Sequence, residues 1–306
     1  MAQTTNTIIM IRPKAFMYNQ ETATTNAFQI GDIETENAQD LALKEFNAMV
    51  YELRANDIQV MVFDDRSDVN TPDSIFPNNW FSTHDDARVV LYPMQAENRR
   101  LERRHDIFDT LSQYFKLDDI IDLSYFELQN KYLEGTGSMV FDRDTRICYA
   151  SYSPRTHQDV LKTFADQLGF EIIAFDAVDA NNQPIYHTNV LMCVGEKFLL
   201  YCADSIKDSY QKQIIEQSTS KQIITISLDQ MNAFAGNMLE MKNNKGEAIL
   251  LMSKTAYSAL HAEQITQLEK YCKILAFDIP TIEKLGGGSV RCMCAEVFLP
   301  PQRAKN

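Results

Sequence analysis

Five stretches carry apolar residues at three- and four-residue spacing and predict helices: Asn37–Asn56, Glu97–Lys116, Thr156–Leu168, Ile206–Gln217 and Ser258–Cys272. Each runs into a short, β-rich apolar stretch: Ile58–Phe63, Asp119–Leu123, Phe170–Phe175, Gln222–Ser227 and Ile274–Phe277. Each of these leads through a polar loop to a further strand. Four of the further strands turn back on a partner at Asp85–Arg88, Asp142–Thr145, Gly195–Lys197 and Asn243–Gly246, all of them turn chemistry. The fifth unit ends with the chain, and an N-terminal strand, Thr7–Ile11, completes it.

The polar loops keep register. With Asn79, Gly137, Asn189, Asn237 and Ser289 as anchors, the spacings are 58, 52, 48 and 52 residues. Five α/β units with a period near 50 residues argue for a repeat architecture over 1–306 and not for two domains. A helix in every unit excludes an all-β propeller and places helices outside a ring of small sheets. If the ring closes, the five loops meet at one end of one axis. They would gather Asn78, Asn79, Glu134, His187, Asn189, Asn237 and Cys292. An open solenoid would not, and periodicity alone does not choose between them.

Composition narrows the class. The chain has 306 residues, 45% of them hydrophobic, enough for a substantial core. With 29 basic against 42 acidic residues the net charge is −13, and no basic run offers a face to nucleic acid or to an anionic membrane. No apolar run reaches the ~18 residues that span a bilayer. The segment Met1–Pro13 lacks a signal-peptide pattern, and six cysteines in a chain this long form no disulfide framework. The expectation is an acidic, soluble, cytoplasmic protein with reduced thiols, compatible with a homo-oligomer.

Few residues carry candidate chemistry. Cys292 follows Gly286-Gly287-Gly288-Ser289-Val290-Arg291, and glycines let a backbone approach a ligand closely. A thiol at the end of such a loop is either a nucleophile or a small buried hydrophobe. Cys294 follows two residues on, on the same face if the segment is a strand, but no partner pair completes a zinc site. Cys148, Cys193, Cys202 and Cys272 lie in apolar stretches. Among the histidines, His105 and His261 fall on predicted helices as solvated groups, His84 sits near a turn, and His157 is at a helix start. Only His187 occupies a repeat loop. Glu134 precedes Gly135-Thr136-Gly137, where it either accepts from a ligand N–H or caps a turn. The glycine pattern is no phosphate loop.

These loops resemble a known family. Gly-Gly-Gly-Ser-Val-Arg-Cys-Met around Cys292 resembles the C-terminal nucleophile motif of arginine deiminases and dimethylarginine dimethylaminohydrolases. Leu133-Glu134-Gly135 resembles their Glu-Gly motif, and Ser153-Pro154-Arg155-Thr156 their Ser-x-Arg-Thr motif. Pro72-Asp73-Ser74-Ile75-Phe76 and Asn98-Arg99-Arg100-Leu101-Glu102 resemble two further stretches of the dimethylarginine enzymes. In order along 72–294, they resemble the guanidine-modifying superfamily. The resemblance implies a single pentein domain, a five-bladed α/β propeller, with no metal and no organic cofactor. It implies Cys292 as nucleophile, His187 as general acid and base, and Glu134 as the holder of substrate N–H groups. It implies Arg99 and Arg155 on the substrate carboxylate and Asp73 on its α-amino group.

Two departures bear on the substrate. Where the dimethylarginine enzymes carry Val-Glu-Asp, and deiminases Arg-Asp, this chain reads Pro77-Asn78-Asn79. Where deiminases carry His-x-Asp, it reads His187-Thr188-Asn189. Carboxylates offset the desolvation of a buried cation; an amide supplies both donor and acceptor and suits a neutral ureido group. The expectation is a small-molecule amino-acid substrate, most simply citrulline, hydrolysed to ornithine, ammonia and carbon dioxide. The amides and Phe76-Pro77-Asn78-Asn79-Trp80 resemble the citrulline-utilisation hydrolases of the superfamily. Deiminase or dihydrolase action on arginine or a derivative, amidino transfer, and a non-catalytic binding protein of the same fold are the alternatives.

Overall fold

The computed structural model describes residues 2–31 and 37–302; Met1, which opens the segment read for a targeting signal, lies outside them. The strands, in chain order, are β1 (Thr7–Arg12), β2 (Gln59–Asp64), β3 (Phe81–Thr83), β4 (Arg88–Leu91), β5 (Asp119–Asp122), β6 (Val140–Asp142), β7 (Ile147–Ser151) and β8 (Glu171–Phe175). They continue as β9 (Met192–Val194), β10 (Phe198–Tyr201), β11 (Gln222–Thr225), β12 (Leu239–Lys242), β13 (Ala248–Ser253), β14 (Lys273–Phe277) and β15 (Ala295–Glu296).

Among the described residues, fifteen strands make five three-stranded sheets of one design. In β3–β4–β5 the first pair is an antiparallel hairpin, and the third strand returns parallel after a helix. The sheets β6–β7–β8, β9–β10–β11 and β12–β13–β14 repeat this. The fifth sheet joins the chain's ends: β15 pairs antiparallel with β1, and β1 parallel with β2. The short first strands neighbour one another, β6 with β9, β9 with β12 and β15 with β3.

Between middle and outer strand each unit places helix on sheet. Ala42, Phe46, Met49 and Leu53 of the helix Ala38–Ala55 pack on Ile8, Met10 and Val60. Val160, Phe164 and Leu168 of the helix Gln158–Leu168 pack on Phe141, Cys148 and Phe170. A fully buried side chain of this size contributes about 1.5–3 kcal/mol, so each unit's apolar stripe fixes its helix to its sheet.

Two predicted helices are broken. Glu97–Lys116 is two helices, Glu97–Arg100 and His105–Tyr114. Arg103 turns away between them to pair with Glu127 at 2.6 Å. Ser258–Cys272 becomes Lys254–Ala259 and Ala262–Glu269, because Ser253 caps the first and His261 opens the second. His261 is thus a capping residue, as is His157, whose ring accepts from the Asp159 N–H. Cys292 is not on a strand. Successive i→i−3 bonds from Cys292, Met293 and Cys294 wind 289–294 into a tight turn, so strand alternation does not relate Cys292 to Cys294. No helix among the described residues is long and apolar enough to cross a membrane.

Candidate active site

In each unit a short turn delivers one polar side chain just before the first strand. Asn79 ends the 3₁₀ turn Pro77–Asn79 ahead of β3. Glu134 stands before the single-turn helix Gly135–Ser138 and β6; His187 stands before Thr188–Leu191 and β9. Neither side chain caps its own helix, which leaves both free to turn inward. Asn237 precedes β12, and the turn carrying Cys292 precedes β15. Five short first strands therefore bring residues scattered over the chain to one place.

Cys292 is 3% exposed and held by amides. Its Sγ lies 3.3 Å from Asn237 Nδ2 and 3.6 Å from Asn189 Nδ2. Asn237 is itself fixed: Nδ2 donates to the Asn189 carbonyl at 3.0 Å, and Oδ1 accepts from the Arg291 N–H at 3.0 Å. Cys294 is an inert neighbour, its thiol pushed up to about 12 by burial.

His187 Nε2 lies 2.9 Å from Glu134 Oε2. Burial lowers His187 to about 4, and the bond to Glu134 opposes without reversing this. Burial works against the Glu134 carboxylate, yet Arg155, His187 and Arg99 outweigh it and hold Glu134 below the usual range. An ionised Glu134 only accepts, so Nε2 carries the hydrogen and the Nδ1 lone pair is left for chemistry. Glu134 is otherwise engaged, accepting from the Gln95 N–H at 3.0 Å and from Arg155 Nη1 at 3.4 Å. It lies behind His187, wholly buried.

Cys292, His187, Asp73, Asn79, Arg99 and Arg155 line one small cavity of about 10 Å³, room for about one water. Asn189 and Asn237 meet it through the thiol. Asn78 does not line it; its Oδ1 accepts from Asn79 Nδ2 at 3.0 Å, and its own Nδ2 is buried without a partner among the described residues. Asp73 Oδ2 accepts from Asn19 and Thr22, while Oδ1 has no partner among the described residues. Burial raises the Asp73 carboxyl despite Arg99 nearby.

The two arginines differ. Arg155 donates to the Thr22 carbonyl at 2.9 Å and to Thr25 Oγ1 at 2.7 Å, both on the segment 19–30 that covers the cavity. Arg99 is tied into the frame beneath: to both oxygens of Glu102 at 2.9 Å, to the Phe76 carbonyl at 3.1 Å and to Asn79 Oδ1 at 2.5 Å. Both guanidinium groups are fully engaged; the difference is that two of the three partners of Arg155, Thr22 and Thr25, lie on the covering segment, while the partners of Arg99 belong to the frame.

Sequence reasoning missed the covering segment and Tyr186. Thr22 and Asn26 line the cavity, and Asn26 Nδ2 donates to the Gly287 carbonyl at 3.2 Å. The signal was the long connection between the first strand and first helix, since structureless loops of that length are uncommon unless functional. Tyr186 donates to the same carbonyl at 2.6 Å and carries the Arg155 guanidinium 5.0 Å above its ring. Only its place beside His187 marked it.

Five sheets of one design around a buried Cys–His–Glu set define the guanidine-modifying pentein superfamily, and comparison with known proteins agrees. Residues 12–299 match the family described as N,N dimethylarginine dimethylhydrolase, eukaryotic, and the chain belongs to that family. Among curated relatives, the bifunctional arginine dihydrolase/ornithine cyclodeaminase ArgZ of Synechocystis sp. is 30% identical over 173 residues, 55% of this chain and 22% of the relative. AgrE of Nostoc sp., of the same description, is 26% identical over 171 residues, again 55% and 22%. The aligned stretch thus spans under a quarter of the length of these relatives. The product-bound N-terminal domain of ArgZ, an arginine dihydrolase from the ornithine–ammonia cycle in cyanobacteria, superposes with a TM-score of 0.75 at 20% identity, covering 96% of this chain and 99% of that one. A dimethylarginine dimethylaminohydrolase adduct superposes with a TM-score of 0.65 at 15% identity, covering 95% and 99%.

Proposed function

We propose that this chain is a cysteine-dependent hydrolase of the terminal C–N bond of a free ureido amino acid, converting citrulline to ornithine, ammonia and carbon dioxide. The observation that carries the reading is the company of the thiol: among the described residues, the side chains bonded to Cys292 Sγ are the amides of Asn189 and Asn237. A cationic guanidinium over this centre would find no carboxylate at the thiol to offset its desolvation, whereas a neutral urea needs none. The five sheets are read as the blades of one propeller domain, with the site at one end of its axis.

The chemistry follows from the side chains. Neutral His187, its Nδ1 free, takes the Cys292 proton as the thiol attacks the ureido carbon. The same proton leaves with ammonia, which gives a thiocarbamate R–NH–CO–S on Cys292. His187 then deprotonates water, which adds to that carbon and expels the thiol. The N-carbamic acid released loses carbon dioxide and leaves ornithine. Arg155, freed from Thr22 and Thr25 when the covering segment moves, takes the carboxylate; Asp73, with Oδ1 unpartnered, takes the α-ammonium.

The relatives named arginine dihydrolase favour a second reading, in which arginine enters and the same site hydrolyses twice. Incubating the pure protein with citrulline and with arginine, and assaying ammonia and ornithine, separates the two. A higher kcat/KM on citrulline supports the first; arginine turned over at least as well as citrulline replaces it with the second.

A further inference from the structure

Asn79 stands at the cavity with an amide that could offer either an oxygen or an NH2 group, and its neighbours decide which. A guanidinium has donors only. Arg99 Nη1 lies 2.5 Å from Asn79 Oδ1, so the oxygen must face Arg99 and the NH2 group must face the other way. Arg99 cannot swing off, because Glu102 grips its Nε and Nη2, each at 2.9 Å. Both side chains of that pair are within 3% of full burial. Bare Gly137 shows where the NH2 group goes. A methyl there would stand 2.6 Å from Asn79 Nδ2 and 2.7 Å from His187 Nδ1, so the two nitrogens converge over the same Cα. One N–H of Asn79 is used by Asn78 Oδ1; the other is left beside His187.

Asn237 has the same polarity by the same logic. The Arg291 N–H can only donate, so it takes Oδ1 and leaves Nδ2 for the thiol side. The two Asn237 N–H groups are spent on the Asn189 carbonyl and the Cys292 thiol, so the N–H left for the reacting end of the substrate is that of Asn79. A ureido group offers a carbonyl oxygen to meet it. A guanidinium offers only further N–H groups, and donor facing donor in a buried site leaves both unpaired.

We propose that the buried Glu102–Arg99 pair is a specificity-determining positioning element that locks the Asn79 amide in its donor orientation and so selects a ureido over a guanidino substrate. This rests on the proposed hydrolysis at Cys292. It also separates the two arginines: Arg155 recognises the carboxylate, while Arg99 acts on the substrate through Asn79.

The test compares kcat/KM on citrulline and arginine for wild type, Glu102→Gln, Arg99→Lys, Asn79→Asp and Asn79→Ala. Affinities of Cys292→Ala for both ligands are measured by calorimetry. In Glu102→Gln and Arg99→Lys the citrulline-to-arginine ratio should fall about tenfold or more, the scale of one mispaired buried hydrogen bond. Asn79→Asp, which keeps its Arg99 contact through one oxygen and presents the other, should shift the ratio further toward arginine. In an Asn79→Ala background, adding Glu102→Gln should leave the ratio where it was. A folded Glu102→Gln or Arg99→Lys that loses both activities equally, with the ratio intact, overturns the lock and leaves an ordinary structural pair. Asn79→Asp with an unchanged ratio overturns it as well, even if neither pair variant folds. Wild type that does not turn over citrulline, together with Cys292→Ala that does not bind it, refutes the hydrolase reading itself and the lock with it.

Discussion

Glu134→Gln is the most exposing single change, because it alters charge and hydrogen-bond sense while keeping shape. The carboxylate accepts three bonds: from the Gln95 N–H at 3.0 Å, His187 Nε2 at 2.9 Å and Arg155 Nη1 at 3.4 Å. A glutamine has one oxygen to offer. If that oxygen takes His187 and Arg155, its NH2 group meets the Gln95 N–H donor to donor. If it takes Gln95, the NH2 group meets the guanidinium and drives His187 into the other tautomer. Either way Arg155, its side chain 3% exposed, loses its bonded counter-charge. Breaking a buried pair costs about 3–5 kcal/mol, and the 3.4 Å contact, with Asp73 also facing Arg155, argues for the lower end, about 3 kcal/mol. Activity should fall by about 10²–10⁴, the usual worth of a positioned general base. Urea titration at pH 7 reads the first number and steady-state ornithine release the second. A variant within about 1 kcal/mol and about threefold of wild type would show that Glu134 neither neutralises Arg155 nor sets the His187 tautomer.

Three further outcomes are expected. Cys292→Ser should abolish turnover and Cys294→Ser should not, since the Asn189 and Asn237 amides bond the first sulfur while burial raises the second to about 12; equal losses would sink the assignment. Arg155→Lys should raise KM far more than it lowers kcat, because a point charge cannot replace a fork on a carboxylate; an unchanged KM would leave Arg155 a purely structural role. His187 titrates near 4 in the folded protein against about 6.5 unfolded, so between those values only the unfolded chain holds the proton and stability falls as pH falls. His84, also lowered by burial, acts with the same sign, and Glu102, raised to about 7 by burial, with the opposite one. His187→Gln should therefore flatten the pH 4–6.5 stability slope relative to wild type by up to about 1.4 kcal/mol per pH unit; an unaltered slope would contradict a neutral buried imidazole.

The repeat was legible because the same physical constraint recurs in every unit. Each helix must bury a stripe on its sheet, so apolar spacing and turn residues return with the period. Even the closing pair was readable: the orphan strand at Thr7 had no partner of its own and found β15 and β2. The breaks at 101–104 and 260–261 were hidden because helical periodicity ran on across them. What interrupts it is specific, the Arg103–Glu127 pair and the Ser253 and His261 caps, and such contacts are visible only once the chain is folded.

The site was legible to a different depth. Register placed Asn79, Glu134, His187, Asn237 and Cys292 in equivalent loops, and the sequence motifs added Asp73, Arg99 and Arg155. Neither reveals which atom of a side chain faces the ligand. Arg99 and Arg155 look alike in sequence, yet one is gripped by Glu102 and the other held by Glu134, the Tyr186 ring and a covering segment. Asn79 looks like an acid replaced by its neutral isostere, and on that footing only the charge of the substrate would change. The bond from Arg99 adds a second consequence: it turns the amide's oxygen toward Arg99 and its NH2 group the other way, so the substitution also converts an acceptor position into a donor. The sign of that hydrogen bond discriminates between a carbonyl oxygen and an N–H group more sharply than charge does, because a mispaired buried donor has no water to turn to. On the proposed lock, the choice of substrate would be set two bonds away, at Glu102, a residue whose own side chain does not line the cavity.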